Sequence, residues 1–279
     1  MADKPIRFDD GAAYEQMMGV WSRSAGEIFL DWLAPSRGLR WVDVGCGNGA
    51  FTELLVARCA PLEIHGVDPS AAQLAYARNR PGTAKVQFSE GNALALPFEG
   101  KRFDAATMAL VIFFVPDPAK GVAEMARVLE PGGMAAAYAW DMPGGGFPLE
   151  PIYAQMRALG LASPMPPSPD ASRIEVMRDL WTAAAFDAVE TRAITVQRRF
   201  ANFEEYWTIA TQGPGFSAAL ATMAQADAER IKTGTRASLP ADAGARSPAA
   251  RAPTRSKAGC RHSVGDAGRR GRQMRARSR

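Results

Sequence analysis

The chain has 279 residues, of which 47% are hydrophobic, so it can bury the core of one large domain. Three cysteines without paired spacing and only two histidines argue against a disulfide framework or a metal site, and we predict no metal and a cytoplasmic location. The net charge of +4 is unevenly spread: residues 236–279 carry 12 Lys and Arg against 2 acidic residues, and residues 1–235 carry 21 against 27. The acidic body argues against a nucleic-acid partner, and no uncharged apolar stretch reaches the about 20 residues that a membrane span needs.

Residues 1–38 are predicted as an N-terminal helical segment, after which short apolar strands alternate with helices. Strands are predicted at residues 40–45, 62–68 and 85–91, within 102–114, and at 134–141; helices are predicted at 50–59, at 70–80 with Ser70 as N-cap, and from Asp117 to a Pro-Gly-Gly stop at 131–133. Such alternation indicates parallel βαβ units. We therefore expect an α/β fold with a Rossmann-like, doubly wound, mostly parallel sheet that has helices on both faces.

A second part of the chain breaks this rhythm. Residues 142–186 are predicted as a helical insertion, residues 188–197 as a strand, and residues 216–232 as one continuous helix. These segments complete a domain over residues 1–235. Residues 236–279 are polar and aperiodic, so they are predicted to be a disordered basic tail.

The composition of this tail has a second explanation at the level of the gene. Arg makes up 27 of the 33 basic residues, as a GC-rich gene would produce, and a reading-frame slip in such a gene gives an Arg/Ala/Gly/Pro/Ser mixture. The frameshift hypothesis predicts that another frame encodes an apolar strand after residue 243.

The stretch RWVDVGCGNGAF joins the first strand to the second helix through a glycine turn. Glycine lets a ligand approach the backbone closely, and the N-terminus of a helix favours anionic groups. Gly45, Gly47 and Ala50 satisfy the G-x-G-x-x-G/A pattern, and Asp68 follows 18 residues after Ala50 as a ribose-binding carboxylate. These residues fit a nicotinamide dinucleotide and S-adenosylmethionine equally well.

Three further features favour S-adenosylmethionine. Asp43, two residues before Gly45, would repel a pyrophosphate but attract the ammonium of a methionine. The segment EGNALALPF follows the third strand and would bring Asn92 to an adenine edge. The segment LEPGGMAAAYAWD links the fourth helix to the fifth strand.

Five segments in order carry a resemblance to a known family. VDVGCGNGAFTELL, GVDPS, EGNALALPF, FDAATMALVIFFVPD and EMARVLEPGG resemble the motifs of class I S-adenosylmethionine-dependent methyltransferases of small molecules, above all the quinone-biosynthesis C-methyltransferases. The resemblance covers about residues 14–141. It implies S-adenosyl-L-methionine as cofactor.

The resemblance also implies which residues bind the cofactor. They are Asp43, Gly45, Cys46, Gly47, Gly49, Asp68, Pro69, Ser70, Asn92, Ala93, Ala109, Leu110 and Val111. Asp43 would hold the ammonium, the glycine turn the amino-acid moiety, and Asp68 the ribose hydroxyls. The family commonly has Asp where this chain has Asn92, so the bond to adenine would lose its charge assistance. The N-terminal segment resembles a lid, with Tyr14, Met18, Trp21 and Arg23 as candidates.

The expected reaction is methyl transfer to a small, partly hydrophobic molecule, mainly by proximity and orientation. Phe113, Phe114 and Trp140 are predicted to line the substrate pocket. The catalytic residues are unknown; Asp141 is a candidate base, although a carboxylate there also suits loop capping. Two alternatives are an NAD(P)-dependent oxidoreductase and a catalytically inactive S-adenosylmethionine-binding protein.

The resemblance bears on the edge of the sheet as well. In this family the sheet commonly has seven strands, the last antiparallel beside the fifth, and the residues after 232 are too polar to suggest one. We therefore expect a final strand that is missing or altered, in a monomer or homodimer.

Overall fold

A computed structural model describes residues 15–239 and 254–258. Within them the chain forms a seven-stranded sheet in the order β3-β2-β1-β4-β5-β7-β6. The strands are β1 Arg40–Val44, β2 Glu63–Asp68, β3 Gln87–Glu90, β4 Phe103–Ala109, β5 Leu129–Trp140, β6 Arg192–Val196 and β7 Thr254–Ala258. Strands β1 to β5 are parallel, and β7 runs antiparallel to both β5 and β6. The predicted Rossmann-like α/β fold is confirmed.

The helices connect and cover these strands. They are α1 Val20–Leu33, α2 Ala50–Cys59, α3 Ala71–Arg78, α4 Pro118–Val128, α5 Glu150–Ala158, α6 Ile174–Ala183, α7 Phe203–Thr211, α8 Pro214–Thr222 and α9 Gln225–Ser238. A π-helical turn, Glu15–Gly19, precedes α1. The predicted caps form: the Ser70 hydroxyl accepts a hydrogen bond from the Gln73 amide, and Asp117 accepts one from the Lys120 amide.

The core lies on both faces of the central strands. Trp41, Val42 and Val44 of β1 are fully buried, as are most residues of β4 and β5. A parallel strand covered by helices on both faces needs apolar side chains in succession rather than in alternation. This explains why the apolar runs of the sequence located the strands.

Two predicted boundaries are wrong. Helix α4 ends at Val128 and β5 begins at Leu129, so Pro131, Gly132 and Gly133 lie inside the strand rather than closing the helix. The β4–β5 register shifts between Phe103 and Ala105, an irregularity that accommodates a proline and two glycines at the end of a strand. The predicted helix over residues 216–232 is two helices, because Met223 and Ala224 adopt extended backbone between α8 and α9.

The predicted tail contributes to the sheet. The expectation that the final strand is missing needs correction, because Thr254–Ala258 pairs with both β5 and β6; the strand is altered only in its polar composition. Backbone groups supply the ladder hydrogen bonds, so an apolar pattern is not a requirement for pairing. Residues 236–238 belong to α9. The rest of the predicted disordered tail, and Tyr14 of the predicted lid, lie outside the described residues.

Helices α5 and α6 fall within the predicted insertion, residues 142–186. In the part of the chain that the structure describes, no helix is long and apolar enough to cross a membrane.

Candidate functional site

The parallel strands end at one edge of the sheet, where their carboxyl-terminal residues meet. Strand order reverses between β1 and β4, because the chain moves outward from β1 to β2 and β3 and then returns to β4. Open α/β sheets bind ligands in the crevice at such a switch point. The residues after β1, β2 and β4 are those that the sequence singled out.

The glycine turn after β1 has the backbone that only glycine adopts without strain. Gly45, Gly47 and Gly49 have φ values of +73°, +51° and +79°. A Cβ atom at Gly45 would lie 2.5 Å from a methyl carbon of Val111, so this glycine permits close packing against the end of β4. At Gly47 a Cβ atom would meet nothing within 4 Å. The turn is therefore packed on one side and open on the other.

Asp68 ends β2 beside this turn. Its Oδ2 accepts a hydrogen bond from the Gly47 amide at 2.9 Å, and its Oδ1 accepts one from the Ser70 amide at 2.9 Å. Burial raises the pKa of Asp68, and the two amide hydrogen bonds lower it. Each carboxylate oxygen has a second lone pair left for a ligand. Pro69, which follows, is exposed.

Asp43 lies in the interior of β1 and is fully buried. Its Oδ2 accepts a hydrogen bond from the Thr52 hydroxyl at 2.6 Å, and its Oδ1 accepts one from the Thr107 hydroxyl at 3.2 Å. Burial raises the pKa of Asp43 to about 7, which the two hydroxyls oppose and the charge of Asp68 reinforces. Thr107 was missed by the sequence reasoning; the β1–β4 register, which pairs Asp43 with Thr107, identifies it.

Cys46 lies between the first two glycines of the turn, and its side chain is buried. Burial raises the pKa of the thiol well above its ordinary value, because the thiolate would be desolvated and would lie near Asp43 and Asp68. The side chain is thus a small apolar filler that packs near Gly66 of β2.

Asn92 and Ala93 follow β3 at the same edge of the sheet. Asn92 is exposed, and its Oδ1 accepts a hydrogen bond from the Leu94 amide at 2.8 Å. The loop of residues 92–98 is fastened to α4, because Arg127 donates to the carbonyls of Leu96 and Phe98 and Glu124 accepts from the Leu96 amide. The sequence reasoning did not identify Arg127 and Glu124 as supports of this loop, since their partners are backbone groups about 30 residues away.

The end of β4 carries Ala109, Leu110 and Val111. Leu110 has a φ of +62°, an unusual conformation for a leucine, and its amide donates to the Tyr138 carbonyl at 2.8 Å. Strain of this kind is found at functional sites in many proteins. Phe113, a predicted pocket residue, is buried in the core, whereas Phe114 is half-buried. Trp140, also predicted to line the pocket, is likewise a buried core residue.

Asp141, the candidate base, follows β5 and is buried. Its Oδ1 accepts a hydrogen bond from the Gly144 amide at 3.1 Å, and its backbone bridges to Gly146. The carboxylate therefore closes the turn after β5, which is the structural alternative considered for this residue.

The N-terminal segment contacts the glycine turn at Asn48. Met18 and Trp21 are buried, whereas Arg23 is exposed and pairs with Glu27. Glu15, which the sequence reasoning missed, accepts a hydrogen bond from the Asn48 side-chain amide at 2.8 Å and pairs with Arg80. Of the three described lid candidates, Met18 and Trp21 belong to the buried core and Arg23 lies at the surface.

Fold and site together define a Rossmann-like protein of the kind that binds an adenosine-containing cofactor through a glycine turn and an acidic residue on the second strand. A family model described as "Methyltransferase domain" matches residues 42–137. Over these residues the chain is a domain of the class I S-adenosylmethionine-dependent methyltransferase family, whose methyl donor is S-adenosyl-L-methionine.

Curated relatives agree with the family. The chain is 35% identical over 126 residues to the 2-phytyl-1,4-naphtoquinone methyltransferase of Thermosynechococcus vestitus, covering 44% of this chain and 54% of that protein. It is 33% identical over 168 residues to the demethylmenaquinone methyltransferase of Staphylococcus aureus, covering 60% and 66%. The chain thus spans less than two thirds of either relative's length. The YcgJ protein from Bacillus subtilis shares the fold, with a TM-score of 0.57 and 17% identity over 87% of this chain and 98% of that one.

Proposed function

We propose that this protein transfers the methyl group of S-adenosylmethionine to a small, partly hydrophobic acceptor at the crevice beside β1 and β4. The arrangement of Asp68 carries the proposal. Both of its oxygens are oriented by backbone amides, of Gly47 and of Ser70, at the end of β2. The remaining lone pairs suit the two hydroxyls of a ribose.

The neighbouring residues fit the rest of this cofactor. The open space at Gly47 leaves room for the amino-acid moiety against bare backbone. Asp43, enclosed and held by two hydroxyls, would attract the ammonium as a buried charge rather than as a direct ligand. Asn92 would meet the adenine edge with its exposed amide, after β3.

The sulfonium of the cofactor supplies a methyl group that is already activated for attack by a nucleophile. The chain's own task is to hold the acceptor in line with that methyl and to exclude water. Orientation of this kind contributes about 7–11 kcal/mol to the lowering of the barrier. Asp141 closes the turn after β5 by accepting from the Gly144 amide, so we do not propose it as the catalytic base.

The acceptor is proposed to have an apolar body. Phe114 is the predicted pocket residue that keeps part of its side chain exposed, and it packs on Phe113 at a ring distance of 4.7 Å. The names of the two curated relatives place naphthoquinones first among acceptors to test. With those acceptors, the proposed reaction is methylation of a carbon atom.

Calorimetric titration of the full chain with S-adenosylmethionine, and separately with NAD, tests the cofactor. Methyl transfer from labelled cofactor is then measured with reduced demethylmenaquinone, with reduced 2-phytyl-1,4-naphthoquinone and with a cell extract. Binding of NAD without binding of S-adenosylmethionine would overturn the proposal. Cofactor binding without transfer to any acceptor would instead support a catalytically inactive binding protein.

A further inference from the structure

The π-helical turn Glu15–Gly19, here called the strap, is held against the body of the protein by arginines from two different parts of the chain. Arg80 follows α3 and contacts the strap on the side of the glycine turn. Arg198 follows β6 and contacts the backbone of the strap at Gln16 and Met17. Single π-helical turns joined to an α-helix are rare and occur frequently at functional sites.

Arg80 makes three polar contacts at once. Its Nε donates to the Asn48 carbonyl at 2.7 Å, its Nη1 donates to Glu53 at 2.9 Å, and its Nη2 pairs with Glu15 of the strap. The Arg80 side chain is 12% exposed, so its charge is largely shielded from solvent, whereas Glu15 is 36% exposed. Only the planar, five-donor guanidinium can satisfy such a set of acceptors in one conformation.

Asn48 completes the connection between the strap and the glycine turn. It lies between Gly47 and Gly49, its side-chain nitrogen donates to Glu15 at 2.8 Å, and its Oδ1 accepts from the Ala50 amide at 3.2 Å. Because its own carbonyl also accepts from Arg80, a change in the backbone of the turn moves an acceptor of Arg80 directly. Strap, arginine and glycine turn form a closed ring of hydrogen bonds.

The second attachment involves the strap's backbone. Arg198 Nη1 donates to the carbonyls of Gln16 and Met17, at 3.2 Å each, and its guanidinium lies 4.6 Å from the centre of the Phe200 ring. Met17 also packs where a Cβ atom at Gly213 would fall. These contacts join the strap to the segments after β6. The contacts of Glu15 with Arg80 and Asn48 join it to the glycine turn.

We propose that Arg80 is a positioning residue, which ties the strap to the glycine turn through Glu15 and Asn48 and so couples closure of the strap to retention of the cofactor. The inference rests on the proposed function of the site. A ligand that orders the turn favours the closed strap, and by linkage the closed strap favours the bound ligand by the same factor.

The test is the dissociation rate of S-adenosylmethionine from the full chain, measured by displacement with excess S-adenosylhomocysteine. Glu15→Ala is expected to raise this rate about tenfold without lowering the association rate, because the strap opens more often. Arg80→Lys is expected to raise it as well, since one ammonium nitrogen cannot reach the three separate acceptors that Nε, Nη1 and Nη2 of the guanidinium contact. The double variant should raise the rate by less than the product of the two single effects, because Glu15 and Arg80 share an ion pair within one network.

Glu27→Gln is the matched control, because Glu27 forms an exposed ion pair with Arg23 in the same N-terminal region. It should leave the rate unchanged. Hydrogen exchange of the strap amides in the cofactor-free protein gives a second readout, which should accelerate in Glu15→Ala and not in Glu27→Gln.

A dissociation rate in Glu15→Ala equal to that of the wild type would overturn the inference, even if Arg80→Lys lowers the melting temperature. A wild-type chain that fails to bind S-adenosylmethionine would overturn the proposed function itself, and the two failures are thereby distinguished.

Discussion

At the scale of single residues, the two aspartates of the site have opposite environments. Asp68 is half-buried and oriented by two backbone amides, so it keeps acceptor capacity for a ligand. Asp43 is enclosed, and its protonation is set by burial against two hydroxyls. The sequence predicted both residues, but it could not distinguish a surface ligand from a buried charge.

The raised pKa of Asp43 predicts that both the stability of the fold and the binding of the cofactor depend on pH. Its folded-state pKa, about 7, lies above the ordinary value of 3.8, so the folded chain binds the extra proton between these values. The contribution of Asp43 to the free energy of unfolding therefore falls as pH rises from about 4 to about 7.

Binding of the cationic cofactor should change in the opposite sense, tightening about fivefold from pH 6 to pH 7.5 as Asp43 ionises. Calorimetric titration across this range checks the dependence. Asp43→Asn should bind at a level that hardly varies with pH, and a dependence preserved in that variant would assign it to another group.

Asp68→Ala should remove cofactor binding, at a cost of about 2–5 kcal/mol for the loss of a half-buried charge that two backbone amides orient. Asp179→Ala, which changes an exposed aspartate on α6, is the control. Wild-type affinity in Asp68→Ala, measured by calorimetric titration, would refute the ribose-binding role.

At the scale of elements, the site is assembled from turns that their neighbours hold in place. The glycine turn could be predicted because its pattern is local and needs left-handed backbone. The loop of residues 92–98 could be located but not explained, because Arg127 and Glu124 hold it from α4 through backbone groups distant in sequence.

Arg127→Met should loosen this loop. The two hydrogen bonds to the loop carbonyls and the ion pair with Glu124 are lost, so we expect the free energy of unfolding to fall by about 1–3 kcal/mol and cofactor affinity to fall several-fold. Thermal unfolding and calorimetric titration measure the two effects. Lys120→Met, which changes an exposed residue on the same helix, should change neither quantity. An unchanged affinity in Arg127→Met would show that the loop of residues 92–98 does not contribute to cofactor binding.

At the scale of the whole molecule, β7 decides how the sheet ends. It pairs with β5 and β6, so it covers one edge of β5 that would otherwise present unpaired backbone groups. Its sequence, TRSKA, carries no strand pattern, and the sequence reasoning placed it in a disordered tail.

A chain ending at residue 239 should therefore be less stable by several kcal/mol than one ending at residue 258, because the hydrogen bonds of β7 to both neighbours are lost. It should also self-associate through the open edge. Thermal unfolding and sedimentation velocity compare the two truncations, and equal stability and mass would show that β7 contributes nothing to the fold.

Local pattern was sufficient for the α/β class and for locating the strands β1 to β5, and it singled out the residues that we propose to hold the cofactor. Apolar runs, cap residues and left-handed glycines act over a few residues, so they can be predicted from the sequence. Long-range contacts required the folded protein: the register that pairs Asp43 with Thr107, the arginines on the strap, the core position of Trp140 and the partners of β7. Each depends on which surfaces meet after folding, and no local periodicity encodes that.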